Sequence, residues 1–595
     1  MKRYKYLTII GLSSLLALAS CDEYEEVPIE RFTIDYVFSQ TDSLGKNAEK
    51  YLNTIYNAMP YGHNRVGDDY LDAASDDAIT SALSENDIQR LASGQYTASS
   101  PIGADMYWGS YYTAIRQAIT FINHIDEVPL MMTFTNGTDV IPMNRAWKAE
   151  ARFLKAFFYF ELVKRYGGVP ILRDDAPYEL GEDIELPRKS FEYCIQYIVD
   201  ELEAIKDSLR RVENMDMTTE GHVATQGAAM ALKSRVLLYA ASPLFNENPI
   251  EANNNLVGYT EYKPERWKEA ADAARDFINT YNKTTPRIYN LAGNVGSTLK
   301  GFQTIFLDYY GSGSGLNKNT EVIFFHQGNK STNIEKANGP VGFTGVNQSN
   351  GRTSPTQNLV DAFPMLDGKP IGESGKYTYN PQSPYEKRDP RLDYTIMHNG
   401  TAWLGVPLQT YNGGVHNPGK AAQTTRTSYY LRKFMGAFAA ASEYSDVLHT
   451  WVMFRYAEIL LNFAEAENEY AGPTREVYDA IVALRTRAQI EAGTDKLYGL
   501  KANMTKEEMR NVIRNERRIE LAFEEHRYWD IRRWRIAEDV FSQPLEGMSI
   551  ASNSGLLTFS RIPVASYSFE TKRYLYPIPY SEVLKNRNMV QNPEW

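Results

Sequence analysis

The residues best suited to chemistry are concentrated in residues 513–534, IRNERRIELAFEEHRYWDIRRW. Carboxylates and one histidine alternate there with arginines, a mixture that could supply an acid–base pair or a metal ligand. On a helix, however, Arg517 with Glu520 and Glu524 with Arg527 would stand one turn apart as opposite charges, which is the spacing of stabilising ion pairs. We therefore predict a structural ion-pair network between helices here, without a catalytic role.

No enzyme motif accompanies this segment. The sequence has no His-Glu-x-x-His, no Gly-x-Ser-x-Gly, no Walker-type phosphate loop and no EF-hand loop. Its two cysteines exclude a cysteine-built zinc site, and Cys194, within the amphipathic run FEYCIQYI, is predicted to be a buried, inert thiol. A glycosidase needs two carboxylates about 5–10 Å apart, and nothing singles out such a pair among the 74 acids. We predict no catalytic residue, no metal site and no cofactor.

Aromatic and polar loops offer a different chemistry, the binding of sugars. Sugars present apolar C–H faces and many hydroxyl groups, so a site needs aromatic rings beside Asp, Asn, Arg and Gln. The stretches 60–106 and 285–446 are rich in these residues, in a chain with 41 Tyr and 8 Trp. Tyr309, Tyr310 and Trp403 lie in Gly-rich loops without periodic partners and are the strongest candidates. The predicted ligand-binding residues are Asp68, Asp69, Tyr70, Trp108, Tyr309, Tyr310 and Trp403.

Helices must position these loops. Residues 145–166 contain no Gly or Pro, and their apolar residues recur at helical spacing over a wide face, which predicts a helix buried on most sides. Helices are also predicted over 224–241, 451–470, 476–492 and 507–535, with shorter ones over 47–58, 107–125, 190–211 and 264–280. Helix pairs with an Ala-x3-aromatic spacing suggest tetratricopeptide-like hairpins. We predict an all-α fold of such hairpins with a large irregular, loop-rich insertion over residues 285–446.

Composition and charge narrow the class further. Of the 595 residues 43% are hydrophobic and 23% charged, and the mean hydropathy is −0.45. These values are those of ordinary globular proteins and argue against a polytopic membrane protein. The net charge is −11, whereas nucleic acid requires a basic surface on its partner. We therefore expect no nucleic-acid partner.

The N-terminus predicts export and lipidation. Residues 1–20 combine a basic start, about 13 mostly apolar residues and a small-residue end, which is typical of a signal peptide. The apolar run is shorter than the ~20 residues of a membrane-spanning helix. The last residues before Cys21 read Leu-Ala-Ser, similar to a bacterial lipobox, in which the cysteine is acylated. Four acids follow within residues 22–26, so we predict an acidic tether over residues 21–45.

Six further segments stand out in chain order. They are EARFLKAFFYFELVKRYGGVPIL (150–172), PTQ with VDAFPMLDGKPI (355–357 and 360–371), KRDPRL (387–392), FRYAEILLNFAEAENE (454–469), residues 513–534 and YPIPYSEVLKNRNMVQNPEW (576–595). Together they resemble the SusD/RagB family of outer-membrane nutrient-binding lipoproteins of Bacteroidetes. The resemblance implies about four tetratricopeptide-like hairpins, divided between residues 46–284 and 447–595. It also implies a SusC-like TonB-dependent transporter as partner and Arg391 as a scaffold residue.

We therefore expect a non-enzymatic, glycan-binding lipoprotein, anchored in the outer membrane through Cys21 and exposed at the cell surface. It would capture oligosaccharides and deliver them to the transporter. Three alternatives remain open. The chain could be the peptide-binding lid of a peptide importer, a lipid-anchored glycoside hydrolase, or a tetratricopeptide scaffold that binds only its partner protein.

Overall fold

Helices form most of the secondary structure in this computed structural model, which describes residues 33–136, 138–175, 185–215, 221–248, 250–282, 287–293, 299–307, 319–419 and 423–595. The α-helices of these residues are α1 (Ile34–Val37), α2 (Lys46–Tyr56), α3 (Asp87–Ser93), α4 (Trp108–His124), α5 (Met143–Tyr166), α6 (Phe191–Ile205), α7 (Gln226–Ala241), α8 (Pro243–Asn246), α9 (Glu265–Asn282), α10 (Lys300–Thr304), α11 (Asn333–Asn338), α12 (Gln357–Ala362), α13 (Arg391–Thr395), α14 (Tyr456–Ala471), α15 (Arg475–Arg487), α16 (Lys506–Glu520), α17 (His526–Arg533), α18 (Ala537–Phe541) and α19 (Tyr580–Lys585). Short 3-10 helices cover Leu71–Ala74, Ile125–Glu127, Lys206–Ser208, Val212–Asn214, Gly345–Asn347 and Thr571–Tyr574.

Short strands accompany the helices, so the all-α prediction is corrected to a mainly helical fold. The strands are β1 (Ala78–Thr80), β2 (Thr133–Asn136), β3 (Asp139–Pro142), β4 (Val322–His326), β5 (Lys330–Ser331), β6 (Thr353–Pro355), β7 (Ile396–Met397), β8 (Ala402–Trp403), β9 (Val406–Pro407), β10 (Tyr430–Leu431), β11 (Val447–Leu448), β12 (Trp451–Arg455), β13 (Leu545–Asn553) and β14 (Leu556–Ala565). In the described ranges they form seven antiparallel pairs: β1 with β6, β2 with β3, β4 with β12, β5 with β11, β7 with β10, β8 with β9 and β13 with β14. Such pairs give the loop-rich segments backbone hydrogen-bond partners that a helix cannot supply.

The long helices form a continuous packed series. Each packs on the next in the order α2, α4, α5, α6, α7, α9, α14 and α15, and α16 also packs on α14. Helix α5 is buried on nearly every side, as its apolar pattern predicts. Helix α7 presents small residues to its neighbours and is likewise buried over most of its length. The insertion separates α9 from α14 in sequence, yet the two helices pack together. The chain therefore leaves the helical series after α9 and rejoins it beside α9 at α14.

Two predicted helix boundaries are wrong. Residues 451–455 form strand β12, whose Trp451 pairs with His326 of β4, instead of the first turn of a helix. The helix predicted over 507–535 is divided between α16 and α17, because Phe523 and Glu525 adopt positive φ angles of 63° and 61°. The backbone N–H of Phe523 donates to a carboxylate oxygen of Asp72, so a tertiary contact replaces a helical hydrogen bond there.

Cys194 of α6 is fully buried, as predicted. Its thiol lies 3.6 Å from the carbonyl oxygen of Val169, and burial raises the pKa of the thiol to about 11. The thiol is therefore protonated and unreactive at neutral pH. Among the described residues no helix is both long and apolar enough to cross a membrane.

A buried ion-pair network surrounds Glu520 at the end of α16. Its carboxylate contacts the guanidinium groups of Arg391, Arg455 and Arg487, and Glu520 and Arg391 are both 0% exposed. Burial alone would raise the pKa of Glu520, but the arginines outweigh burial and hold the pKa well below its usual range. The wider network pairs the carboxylates of Glu321, Asp389, Glu516, Glu520 and Glu524 with Arg391, Lys433, Arg455, Arg485 and Arg487.

The structural role predicted for residues 513–534 is therefore confirmed, although the predicted pairings within one helix are not. Arg517 pairs with Asp530 at 2.7 Å, and Glu524 pairs with Arg455 at 2.7 Å. Both partners lie on other elements, because the side chains of this segment face the protein interior. The expected scaffold role of Arg391 is also seen, since it joins the insertion to α16.

A second set of ion pairs fixes the 60–106 stretch. Asp76 and Asp77 directly precede β1 and are buried, so their carboxylates do not face water. Instead Asp76 accepts hydrogen bonds from Arg527 at 2.8 Å and 2.9 Å, and Arg518 contacts both carboxylates. The stretch is thereby attached to α16 and α17.

We predict that Arg391→Met lowers the free energy of unfolding by about 3–5 kcal/mol, because it leaves three buried carboxylates without that cation. Urea denaturation followed by circular dichroism measures the change. The matched control is Arg475→Met, since Arg475 and its partner Asp479 are 92% and 67% exposed, and it should leave stability unchanged. Equal stability of the two variants would contradict a structural role for the network.

The stability of the fold should depend on pH through the ionisation of Glu465. Its carboxylate accepts hydrogen bonds from Arg533 and from Trp534 Nε1. Burial raises and Arg533 lowers the pKa of Glu465, and the net result is a pKa of about 2. Because the folded pKa is depressed, the carboxylate stabilises the fold above pH ~4.5 and loses this effect as pH falls towards 2.

We therefore predict that Glu465→Gln is less stable than the unsubstituted protein at pH 7 and that the two stability curves converge as pH approaches 2. Urea denaturation at a series of pH values measures both curves. Parallel curves over this range would show that Glu465 does not carry the effect.

Candidate functional site

The structure brings the two predicted loop-rich stretches together. Strand β1 of the first pairs with β6 of the second, and the backbone N–H of Tyr70 donates to Thr353 Oγ1 at 3.1 Å. Arg352 and Asp69 form an ion pair at 3.2 Å. The ring of Tyr70 stacks on Phe434 with centroids 5.3 Å apart. The two stretches are therefore packed against each other.

Asp69 and Tyr70 lie inside the protein, where the two stretches meet. Asp69 is 0% exposed and accepts hydrogen bonds from the hydroxyl groups of Thr80 and Thr353, and burial raises the pKa of its carboxyl group. Tyr70 is also fully buried, with its hydroxyl oxygen 2.7 Å from His63 Nδ1. These two residues hold the stretches together. Asp68 differs, because it is exposed in a positive-φ turn.

Trp403 and Trp108 are corrected from ligand platforms to core residues. Trp403 is 0% exposed, its Nε1 donates to the Tyr444 hydroxyl at 2.9 Å, and its ring packs edge-on against Phe438. Trp108 is 4% exposed and packs edge-on against Tyr166. A glycine-rich neighbourhood misled the prediction for Trp403, because short loops can fold over a ring as well as leave it open.

Cys21, Tyr309 and Tyr310 lie outside the described residues. Their predicted roles in lipidation and ligand binding therefore stay predictions.

Three segments form one polar surface, and we call them together the neutral face: residues 342–348, 409–417 and 549–560. Asn412 joins two of them, since its backbone N–H donates to the carbonyl of Ile550 and its side-chain amide to Ser549 Oγ. Phe343 joins the third, with its ring 4.9 Å from that of His416. The face therefore has a fixed arrangement of loops.

The hairpin β13–β14 supplies one side of the neutral face. Its turn residues Ser554 and Gly555 have positive φ angles of 51° and 85°, as a tight hairpin turn requires. The side chain of Gln382 binds the outer edge of β14, donating to the carbonyl of Phe559 at 3.1 Å and accepting from its N–H at 2.9 Å.

The chemistry of the neutral face is uncharged and polar. Its three segments contain no Asp, Glu, Lys or Arg. Burial lowers the pKa of His416, so its imidazole is neutral at pH 7. Gln409 and Asn412 are exposed beside the half-buried ring of Tyr411, and Ser560 is exposed on β14. Amides, hydroxyl groups and rings without charge suit a neutral ligand rich in hydroxyl groups.

The described residues contain no group of three or more His, Cys, Asp or Glu side chains placed to hold a metal ion. The expectation of no metal site and no cofactor was made from sequence motifs, and it stays a prediction.

Sequence reasoning missed Tyr411, Asn412 and His416. A signal was present, since residues 394–419 form a run without any Asp, Glu, Lys or Arg in a chain that is 23% charged. The selection of rings in Gly-rich loops ignored this run, although a missing charge can mark a surface as clearly as a motif.

Family models and a related sequence all point to SusD-like proteins. The model of the SusD family matches residues 320–595, and that of the family described as starch-binding, associating with outer membrane, matches residues 37–238. The chain is 23% identical over 553 residues to SusD-like protein P38 of Formosa agariphila, covering 92% of this chain and 95% of the relative.

Solved structures show the same fold. A SusD-like protein from Bacteroides fragilis is 25% identical with a TM-score of 0.72, covering 94% of this chain and 98% of its own. A SusD-like carbohydrate-binding protein from the same species is 23% identical with a TM-score of 0.68, covering 92% and 99%.

We predict that Trp403→Ala lowers the free energy of unfolding by about 3–5 kcal/mol, as expected for removal of a buried aromatic ring. Trp403→Phe should cost less, because it keeps most of the packing and loses the hydrogen bond to Tyr444. Denaturant unfolding measures both. A Trp403→Phe variant of unchanged stability that no longer binds ligand would restore Trp403 as a contact residue.

Proposed function

The chain belongs to the SusD/RagB family, and on this basis we propose that it is a non-catalytic, surface-exposed lipoprotein that captures neutral oligosaccharides. The observation that carries the proposal is the neutral face, where amide and hydroxyl groups lie beside half-buried rings and no charge is present. A carboxylate pair for glycoside hydrolysis is missing from its three segments, which favours capture over cleavage.

Capture would follow from hydrogen bonding and ring contacts. Each sugar hydroxyl both donates and accepts, as does each amide of the face, so Gln409 and Asn412 can match adjacent hydroxyl groups. The rings of Tyr411 and Phe343 offer apolar surface to the C–H face of a sugar. Contacts at an open surface favour moderate affinity, which permits release to a partner.

Delivery and anchoring complete the proposal. Acyl chains on Cys21 would hold the protein in the outer membrane, since two or more chains anchor stably. The acidic residues 21–45 would serve as a tether to the helical body. The partner would be a SusC-like TonB-dependent transporter, with the protein as its hinged lid.

The helical series supports the tetratricopeptide-like part of the proposal. Neighbouring helices α2 and α4, α5 and α6, α7 and α9, and α14 and α15 give four packed pairs. Four pairs are the number that the family resemblance implies. Stacked helix pairs of this kind bury one continuous core.

We expect the purified protein without residues 1–21 to be retained by at least one neutral polysaccharide, such as starch or laminarin, in affinity electrophoresis, and not by alginate or chondroitin sulfate. No new reducing ends should form. New reducing ends would favour a hydrolase, and binding of unstructured peptides in place of every polysaccharide would favour the peptide-importer alternative.

Variants locate the binding surface. Tyr411→Ala should weaken retention about tenfold, the effect of losing one ring contact of roughly 1.4 kcal/mol. Tyr580→Ala is the matched control, because Tyr580 is 49% exposed at the start of α19 and lies outside the neutral face. Equal affinity of both variants would remove the neutral face from the proposal.

A further inference from the structure

A second concave site lies between the end of α2 and the segment that follows β4. Its volume is about 370 Å³, within the ~300–1,000 Å³ typical of small-molecule sites. The polar residues that line it are Asn53, Asn57, His222, His326, Gln327 and Asn329. We call it the amide pocket, and it shares no residue with the neutral face.

We propose that the amide pocket binds one neutral sugar unit as a second site, an inference that rests on the proposed glycan-binding function. The pocket is lined by no Asp, Glu, Lys or Arg. Three other cavities are lined by charged side chains, which favour charged ligands. The amide pocket differs from them because its lining is uncharged.

Four amide side chains and one imidazole nitrogen of the amide pocket have no hydrogen-bond partner among the described residues. The side chains of Asn53, Asn57, Gln327 and Asn329 are exposed and make no hydrogen bond within the described part of the chain. His326 Nδ1 is buried and has no hydrogen-bond partner there either. A buried polar atom without a partner carries a free-energy cost that a bound ligand can offset.

The walls of the amide pocket are held in place by the surrounding strands. His326 is the last residue of β4 and pairs with Trp451 of β12, and its ring meets that of Tyr61 edge-on at 5.4 Å. A Cβ atom on Gly328 would lie only 1.6 Å from the carbonyl oxygen of His449. Only glycine fits there, and this close approach sets the position of the loop that carries Gln327 and Asn329.

A sugar fits these groups better than a peptide does. Four primary amides each offer two donors and an acceptor, which match hydroxyl groups that donate and accept. Burial lowers the pKa of His326, so its imidazole is neutral at pH 7 and also offers one donor and one acceptor. The apolar lining residues Met59 and Phe325 are buried and offer little apolar surface to a peptide side chain.

The test uses the purified protein with 13C-labelled histidines, of which the sequence has only eight, so that the His326 signal can be assigned through His326→Gln. Glucose, galactose and mannose are titrated in turn, with the tripeptide Ala-Ala-Ala as comparison. We expect at least one sugar to shift the His326 signal saturably while the signal of His124, which faces Glu127 on another helix, stays unchanged.

Two variants make the result specific. Asn53→Ala with Asn57→Ala should weaken this binding about thirtyfold, because two hydrogen bonds of roughly 1 kcal/mol each are lost. Both residues are exposed at a helix end, so the fold should be retained. Tyr411→Ala, in the neutral face, should leave the His326 titration unchanged.

Each outcome separates the second site from the proposed function. If polysaccharide is retained but no sugar shifts His326, the second site is overturned and the proposed function stands. If the double asparagine variant titrates like the unsubstituted protein, the amide pocket is overturned as the location. A response to Ala-Ala-Ala alone overturns the ligand class. A sugar response in a protein that retains no polysaccharide supports the pocket and overturns the neutral face.

Discussion

Burial of charge around Glu520 is the constraint on which the rest of the structure depends. A carboxylate removed from water must keep its cations, and here three arginines come from three separate parts of the chain. Arg391 belongs to the insertion, Arg455 to β12 and Arg487 to α15. Since none of these elements can move away without exposing an unpaired buried charge, the network holds the insertion against the helical series. Asp76 and Asp77 do the same for the 60–106 stretch through α16 and α17.

Charge is therefore divided unequally between the inside and the binding surface. The protein buries arginines and carboxylates in its frame, whereas the neutral face and the amide pocket contain neither. This division has a simple physical benefit. Removing water from a neutral polar surface when a neutral sugar binds costs little free energy, whereas removing water from a charged surface costs much more. Fixed loops and uncharged contacts would therefore both favour selective binding of moderate affinity.

The helical part of the fold could be predicted because it follows from local periodicity. Helix α5 has apolar residues at every helical spacing and proved buried on nearly all sides. The strands could not be predicted in this way, because β1 and β6 are three residues each and exist only through pairing across 275 positions of the chain. Single residues were harder still. Tyr70 and Trp403 are of residue types that often contact sugars. Only their tertiary packing, Tyr70 against Phe434 and Trp403 against Phe438, shows that they are internal.

The contact of Gln382 with Phe559 has a consequence for how copies of the protein coexist. The outer edge of β14 would otherwise present free N–H and C=O groups, to which a strand from a neighbouring molecule could add. Gln382 occupies both groups of Phe559, at the middle of that edge, and the backbone of Thr427 and Asn412 meets β13 on the other side. The Gln382 side chain therefore blocks the addition of a strand at this edge. The adjoining surface can then expose Leu556 and half-buried rings without promoting strand-to-strand aggregation.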